Sequence, residues 1–207
     1  MKVIKLSLGP LGTNCYIVQL DNHALIFDPG GEAEKIISYL DENQIKPLAI
    51  LLTHAHFDHI GAVDELRNKY EIDVHGHEKE ADWLEDPNLN RSNNFIGQEI
   101  VTNKPEVFLG EGDFNIDRFN FEVIHTPGHS PGSISFIFHE KQFIISGDVL
   151  FLQGIGRTDL PGGNFEVIKE SIQQKLYKLP DNYVILPGHG EQTSIGYEKK
   201  NNLYVPE

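Results

Sequence analysis

The sequence predicts an α+β fold in which two β-sheets pack on each other with helices on the outside. Apolar runs of strand length recur along the whole chain, some joined by tight turns as hairpins and others through amphipathic helices as β-helix-β crossovers. No Ser/Gly linker, low-complexity tract or internal repeat divides the 207 residues, so one domain over residues 1–207 is expected. With 39% hydrophobic residues, a chain of this length buries a core without covalent staples.

The chain opens on strands. Residues 3–8 alternate, and residues 14–20 and 23–27 read as a hairpin around Asp21-Asn22, ended by the turn Asp28-Pro29-Gly30-Gly31. From Glu32 to Asn43, Ile36, Ile37 and Leu40 share one face of an amphipathic helix before Pro47. Residues 48–52 are continuously apolar, the pattern of a strand covered on both faces. A helix follows Ile60 with Val63 and Leu66 inward, then a short strand at 72–74 and a short helix at 78–84, closed off by Pro87. Residues 86–97 are polar and aperiodic and are expected as a surface loop. The second half predicts strands near 106–109, 119–124, 133–138 and 142–146, and a helix from Asn164 to Lys178. A last strand at 183–186 runs into Pro187-Gly188-His189-Gly190.

Charge and composition narrow the function. Acidic residues number 31 against 17 basic ones, a formal net charge of −14, and no basic cluster exceeds Lys199-Lys200. Binding to a phosphate backbone needs a basic patch, so no nucleic-acid partner is expected. No apolar stretch approaches the ~18 residues of a membrane span, and Ser7, Gly9 and Pro10 interrupt what would be the apolar region of a signal peptide. The single cysteine, Cys15, excludes an intrachain disulfide framework. A cytoplasmic protein with no membrane partner is expected, and the oligomeric state stays open.

The histidines carry the chemistry. Residues 53–59 read Thr-His-Ala-His-Phe-Asp-His, which concentrates His54, His56, Asp58 and His59 directly after a buried strand. A chance match to that spacing has a probability of about 10⁻³ over the chain. So many imidazoles and carboxylates cannot serve as core filler, because each needs a polar partner when buried; a metal ion supplies one for all. His129 in Thr126-Pro127-Gly128-His129-Ser130-Pro131-Gly132, Asp148 in Ser146-Gly147-Asp148, and His189 also follow strands, in loops where glycine and proline aim a short side chain. Imidazole and carboxylate without thiolate point to zinc, iron or manganese. These donors exceed one tetrahedral shell, so two divalent ions are expected, roughly 3.5 to 4 Å apart in a two-metal hydrolytic site. Asp148, with no neighbouring ligand in sequence, is the natural bridge.

His54-x-His56-x-Asp58-His59, followed by His129, Asp148 and His189, resembles the signature of the metallo-β-lactamase superfamily in order and loop context, over nearly the whole chain. The resemblance implies an αββα four-layer sandwich of two mixed β-sheets with the metals at one edge. It implies that His54, His56 and His129 hold one metal, Asp58, His59 and His189 the other, and that Asp148 bridges them. Within the superfamily the chain looks like the short form of the glyoxalase II group of hydroxyacyl-thioester hydrolases. That likeness rests on Gly156-Arg157-Thr158-Asp159, Asn14-Cys15-Tyr16 and Asp28-Pro29-Gly30. Full-length members carry a further C-terminal helical domain that helps hold glutathione, whereas only residues 190–207 follow His189, so the thiol carrier stays open.

The implied reaction is hydrolysis of a small-molecule thioester of the S-lactoylglutathione kind by a metal-bridging hydroxide, with zinc the first expected metal. Metal coordination lowers the pKa of water to about 7, and a thiolate, with a conjugate acid near 8.5, leaves with little help. Asp58, acting with the metal-bound hydroxide, and Arg157, meeting a substrate carboxylate or supporting the site, are the candidate catalytic residues. Asp28 is a candidate support for a metal-binding loop. The alternative is a mono-iron persulfide dioxygenase of the same superfamily, using His54, His129 and Asp148; a nuclease fits the acidic balance less well. His77 reads as a helix-start residue, and His23, His125 and His139 as structural. Cys15 reads as a small buried hydrophobe, and Phe95, Tyr197 and Tyr204 as packing residues.

Overall fold

In the computed structural model, which describes Met1–Glu207, the chain divides into two units, Met1–Leu109 and Gly110–Glu207, each with its own mixed sheet. In the first unit β1 (Lys2–Leu8), β2 (Thr13–Leu20) and β3 (His23–Phe27) form an antiparallel meander, with Asp21 at φ 52 turning the second hairpin. Helix α1 (Ala33–Glu42) buries Ile36, Ile37 and Leu40, its expected apolar stripe, and returns the chain so that β4 (Lys46–Leu51) lies parallel to β3. A short α2 (Phe57–Ile60) and α3 (Val63–Tyr70) lead to β5 (Asp73–Gly76), parallel to β4. Then come a 3₁₀ turn (Glu78–Glu80), α4 (Ala81–Glu85), α5 (Ser92–Ile96) and β6 (Val107–Phe108), parallel to β5. Because β3, β4 and β5 run the same way, the segments that follow them leave the sheet at one end, where open α/β sheets carry their sites.

Residues 86–97 are not the plain surface loop that their polarity suggests. Asn90 is fully buried, its carbonyl accepts the N–H of Phe57 at 3.0 Å and its side-chain amide donates to the carbonyl of Ile100. The polar residues here replace sheet hydrogen bonds, which is why they lack a period. Further on, the Arg67 guanidinium donates to the carbonyls of Asn103 and Lys104 and pairs with Asp64, pinning the stretch that leads into β6 to α3.

In the second unit β7 (Gly112–Ile116), β8 (Phe119–His125), β9 (Ile134–Phe138) and β10 (Phe143–Gly147) are antiparallel neighbours, and β13 (Val184–Pro187) adds parallel to β10. Between β10 and β13 lie the small hairpin β11 (Leu150–Phe151) and β12 (Gly154–Ile155) and the helix α6 (Phe165–Gln174). Asn164 caps α6 by accepting the N–H of Val167, and the helix expected to reach Lys178 breaks at Lys175 into a 3₁₀ turn. Strand β14 (Thr193–Ser194) and α7 (Ile195–Asn201) close the chain. Glu198 of α7 is fully buried and accepts from the Gln153 N–H, the Thr193 hydroxyl and the Asn202 amide, so it fastens the β11–β12 hairpin. Strand β8 is antiparallel to β9, which is antiparallel to β10, so β8, β10 and β13 also end together. No helix is long and apolar enough to cross a membrane.

Candidate metal centre

In the first unit the loop leaving β4 carries its donors inward: His54, His56, Asp58 and His59 are 4%, 5%, 6% and 0% exposed. The ligand atoms of His54 and His56, of His54 and His59, and of Asp58 and His59 lie within 4.8 Å of each other. Hydrogen bonds fix which nitrogen His54 and His59 present. Thr53 Oγ1 donates to Asp28 Oδ2 at 2.7 Å, so it accepts from His54 Nδ1 at 3.1 Å. His59 Nδ1 lies 3.0 Å from Asp28 Oδ2 and donates to it. In both rings the proton sits on Nδ1 and the lone pair on Nε2, the arrangement of a metal-binding histidine with an outer partner. Asp58 Oδ2 accepts the Thr13 hydroxyl at 2.8 Å and lies 3.6 Å from His59 Nε2.

Close backbone approach makes this loop possible. A Cβ on Gly30 would stand 1.7 Å from the carbonyl oxygen of Asp58, so only glycine lets the turn after β3 pass beneath α2. Asp28 itself sits at φ 48, a left-handed conformation that aspartate tolerates better than most residues.

In the second unit the ends of β8, β10 and β13 bring His129, Asp148 and His189 together. Asp148 Oδ2 is 3.7 Å from His129 Nε2 and 3.5 Å from His189 Nε2. Two donors bound at 2.0–2.1 Å to one tetrahedral ion stand about 3.4 Å apart, so these spacings suit donors that share a cation. His129 Nδ1 donates to the carbonyl of Arg157 at 2.8 Å, which again leaves Nε2 as the donor atom. A Cβ on Gly156 would lie 1.8 Å from the carbonyl oxygen of Asp148, and Gly128, at φ 125, packs under the first turn of α6. The Phe151 ring meets His189 edge-on at 6.4 Å.

The donor chemistry fits divalent zinc, iron or manganese: imidazole and carboxylate, largely buried, with Nε2 turned to the ligand position where the tautomer is fixed. Arg157 supports His129 through its main chain, while its exposed guanidinium is held by Asp159 in two bonds of 2.8 and 2.7 Å. That pairing, chiefly through the hydrogen bonds from Arg157, pushes the Asp159 carboxyl down to about 2. Asp28 anchors the metal-binding loop as well as His59, accepting the Thr53 N–H at 2.8 Å.

Thr13 and Glu80 are the partners that sequence reasoning missed. A threonine at a strand start carries no signal, and Glu80 sits in a charged run, Glu78-Lys79-Glu80, that reads as surface although Glu80 is 3% exposed. Three of the remaining histidines have other partners. His77 caps the 3₁₀ turn by accepting the Lys79 N–H, and His125 pairs with the carbonyl of Pro131. His139 lies between the Tyr183 hydroxyl at 2.9 Å and Glu122 at 2.7 Å, a polar setting that strand pairing creates and sequence order hides. Cys15 is fully buried, whereas Phe95, Tyr197 and Tyr204 are exposed.

A family model described as the metallo-β-lactamase superfamily matches residues 8–189, a span that includes both donor sets. The chain is 49% identical over 207 residues to a Bacillus subtilis (strain 168) protein named probable metallo-hydrolase YqgX, covering 99% of this chain and 98% of that one. It is 40% identical over 195 residues to the hydroxyacylglutathione hydrolase GloC of Haemophilus influenzae, covering 93% and 92%. Among solved structures, BLEG-1 B3 metallo-β-lactamase matches with a TM-score of 0.97 at 48% identity over 100% of both chains. TTHA1623 in a di-iron-bound form matches with a TM-score of 0.88 at 37% identity over 97% of this chain and 99% of that one. The expected fold, two mixed sheets with helices, is the one these proteins share. The chain belongs to the metallo-β-lactamase superfamily, as a metallo-hydrolase with that fold.

Proposed function

We propose that the chain hydrolyses a hydroxyacyl thioester and that its two donor sets serve one dinuclear centre. His54, His56 and His129 would hold one divalent ion, Asp58, His59 and His189 the other, with Asp148 between them. On this reading the two units work as a single functional domain, 1–207. When bound, such a pair of ions lowers the pKa of water to about 7 and polarises a carbonyl. The chain's own residues hold that chemistry in place: Asp28 and Thr53 set the rings of His59 and His54, Thr13 sets Asp58, and the Arg157 carbonyl sets His129.

The observation that carries the thioester reading is the 40% identity to a protein named hydroxyacylglutathione hydrolase, over nearly the full length of both chains. A thiolate also leaves more readily than an amide nitrogen, which suits a site whose donors are committed to metal. Zinc is the first metal proposed, and the di-iron form of a similar protein makes iron the second. A small-molecule partner, with no nucleic acid or membrane, and a cytoplasmic location belong to the same proposal, on the net charge of −14 and the free Cys15. A β-lactam is the second candidate substrate, on the 48% identity to a chain titled B3 metallo-β-lactamase.

The test is metal content of the purified protein followed by turnover of a thioester panel that includes S-lactoylglutathione. A cephalosporin and glutathione persulfide under oxygen serve as comparison. The expected result is thioester hydrolysis that a chelator abolishes. Inactivity on every thioester, with the cephalosporin opened or with iron bound and persulfide oxidised, overturns the proposal.

A further inference from the structure

We infer that Glu80 is a positioning residue that sets His54 and His56 as a pair, an inference that rests on the reading that these imidazoles hold a metal ion. Three neighbouring parallel strands run out at the same end of the first sheet. Asp28 follows β3, the metal-binding loop follows β4, and Glu80 follows β5. The two flanking strands thus supply a carboxylate on each side of the loop. Asp28 Oδ1 accepts the N–H of Thr53 at 2.8 Å, and Glu80 Oε2 accepts the N–H of Ala55 at 2.7 Å.

Ala55 is the residue between the two imidazoles. Its peptide is the pivot about which both rings turn, and His56 is in the extended conformation, φ −68 and ψ 147. The two rings meet edge-on with centroids 4.8 Å apart. A tilt of the Ala55 peptide would change both ring directions together. Glu80 is 3% exposed, so packing locks its rotamer as well as its bond. Trp83, one helical turn further on, lies with its ring 5.8 Å from that of His56. The segment from Glu80 to Trp83 therefore holds the loop at a main-chain atom and at a ligand ring. A charge-assisted bond of this length is strong and directional, which suits a residue whose work is geometry.

The test separates the bond from the charge. In E80Q an amide oxygen still reaches the Ala55 N–H but the charge is gone; in E80D the charge stays and the shorter side chain falls out of reach. Cobalt affinity is measured by chelator competition and ligand geometry by the cobalt absorption spectrum. Circular dichroism of the metal-free forms establishes folding. E80D is expected to lose about 10- to 100-fold in cobalt affinity with an altered spectrum, whereas E80Q stays within about threefold of the parent. E80D within threefold of the parent, or E80Q falling as far as E80D, overturns the inference. Independently of the variants, the Ala55 amide proton of the metal-free parent is expected to exchange slowly with solvent, and exchange at an open-loop rate also overturns it. A parent chain that takes up no cobalt sinks the metal reading itself, a failure distinct from that of the Glu80 inference, which leaves the parent loaded.

Discussion

The Asp28 carboxylate lies 3.0 Å from Nδ1 of His59, a residue 31 positions away, and the same carboxylate takes both the N–H and the hydroxyl of Thr53. One buried side chain thus orients an imidazole and fixes the start of the loop that carries it. Asp28→Asn replaces an acceptor oxygen by a donor, so at least one of these three bonds is lost. It is expected to lower metal affinity about 10- to 100-fold, as loss of an outer partner does elsewhere. Chelator competition on parent and variant measures this, and equal affinities would show that His59 is oriented by other means.

Gly156 and Gly30 sit against the main-chain carbonyls of Asp148 and Asp58, the proposed ligands, so alanine at either position forces that main chain to move. Gly156→Ala and Gly30→Ala are each expected to cost at least ~1–3 kcal/mol and to reduce metal content. Gly110, with nothing within 4 Å of an added Cβ, is the control, and Gly110→Ala should change stability by no more than ~0.5 kcal/mol. Denaturant midpoints of the variants decide it; a Gly156→Ala midpoint equal to that of Gly110→Ala counts against the close approach.

Cys15 has no exposed surface, and burial first, then the nearby Asp28 charge, push its thiol well above the ordinary range. The thiolate is the reactive form, so the native protein at pH 8 is expected to leave a thiol reagent unconsumed, with reaction on unfolding. Stoichiometric labelling without denaturant would contradict this burial.

Arg157→Ala is expected to retain metal, because the atom that holds His129 is a backbone oxygen and survives the substitution. Its effect should appear in acid. Asp159, ordinarily at 3.8, is held at about 2 by the guanidinium. The pair therefore stabilises the folded state in full above about pH 4 and loses that contribution as the pH falls through 2. Without Arg157 that part of the acid dependence should vanish. Unfolding followed by circular dichroism between pH 5 and 2 checks it, and identical profiles for parent and variant would show the pair to be inert.

The metal-binding loop was legible in the linear sequence because four donors stand within residues 53–59 and no periodic element needs such a run. His129, Asp148 and His189 were legible for another reason, since glycine and proline beside them mark rigid turns at strand ends. The core strands and α1 followed from apolar patterning, which reports burial wherever the chain is regular. By itself, then, the sequence determined the family and the order of the core elements and proposed the donor set, while β7, the β11–β12 hairpin and α7 escaped it.

Only the tertiary structure decided what surrounds the donors. Asp28 serves His59 and Thr53 at once, Glu80 reaches Ala55, and Arg157 acts on His129 through a carbonyl that every residue type possesses. Nor could polarity show that β7 is an edge strand, or that Glu198 is buried beneath the β11–β12 hairpin. The physical reason is common to all of these. A hydrogen bond between residues far apart in the chain leaves no periodic trace, and its partners look like ordinary surface residues until the strands bring them together.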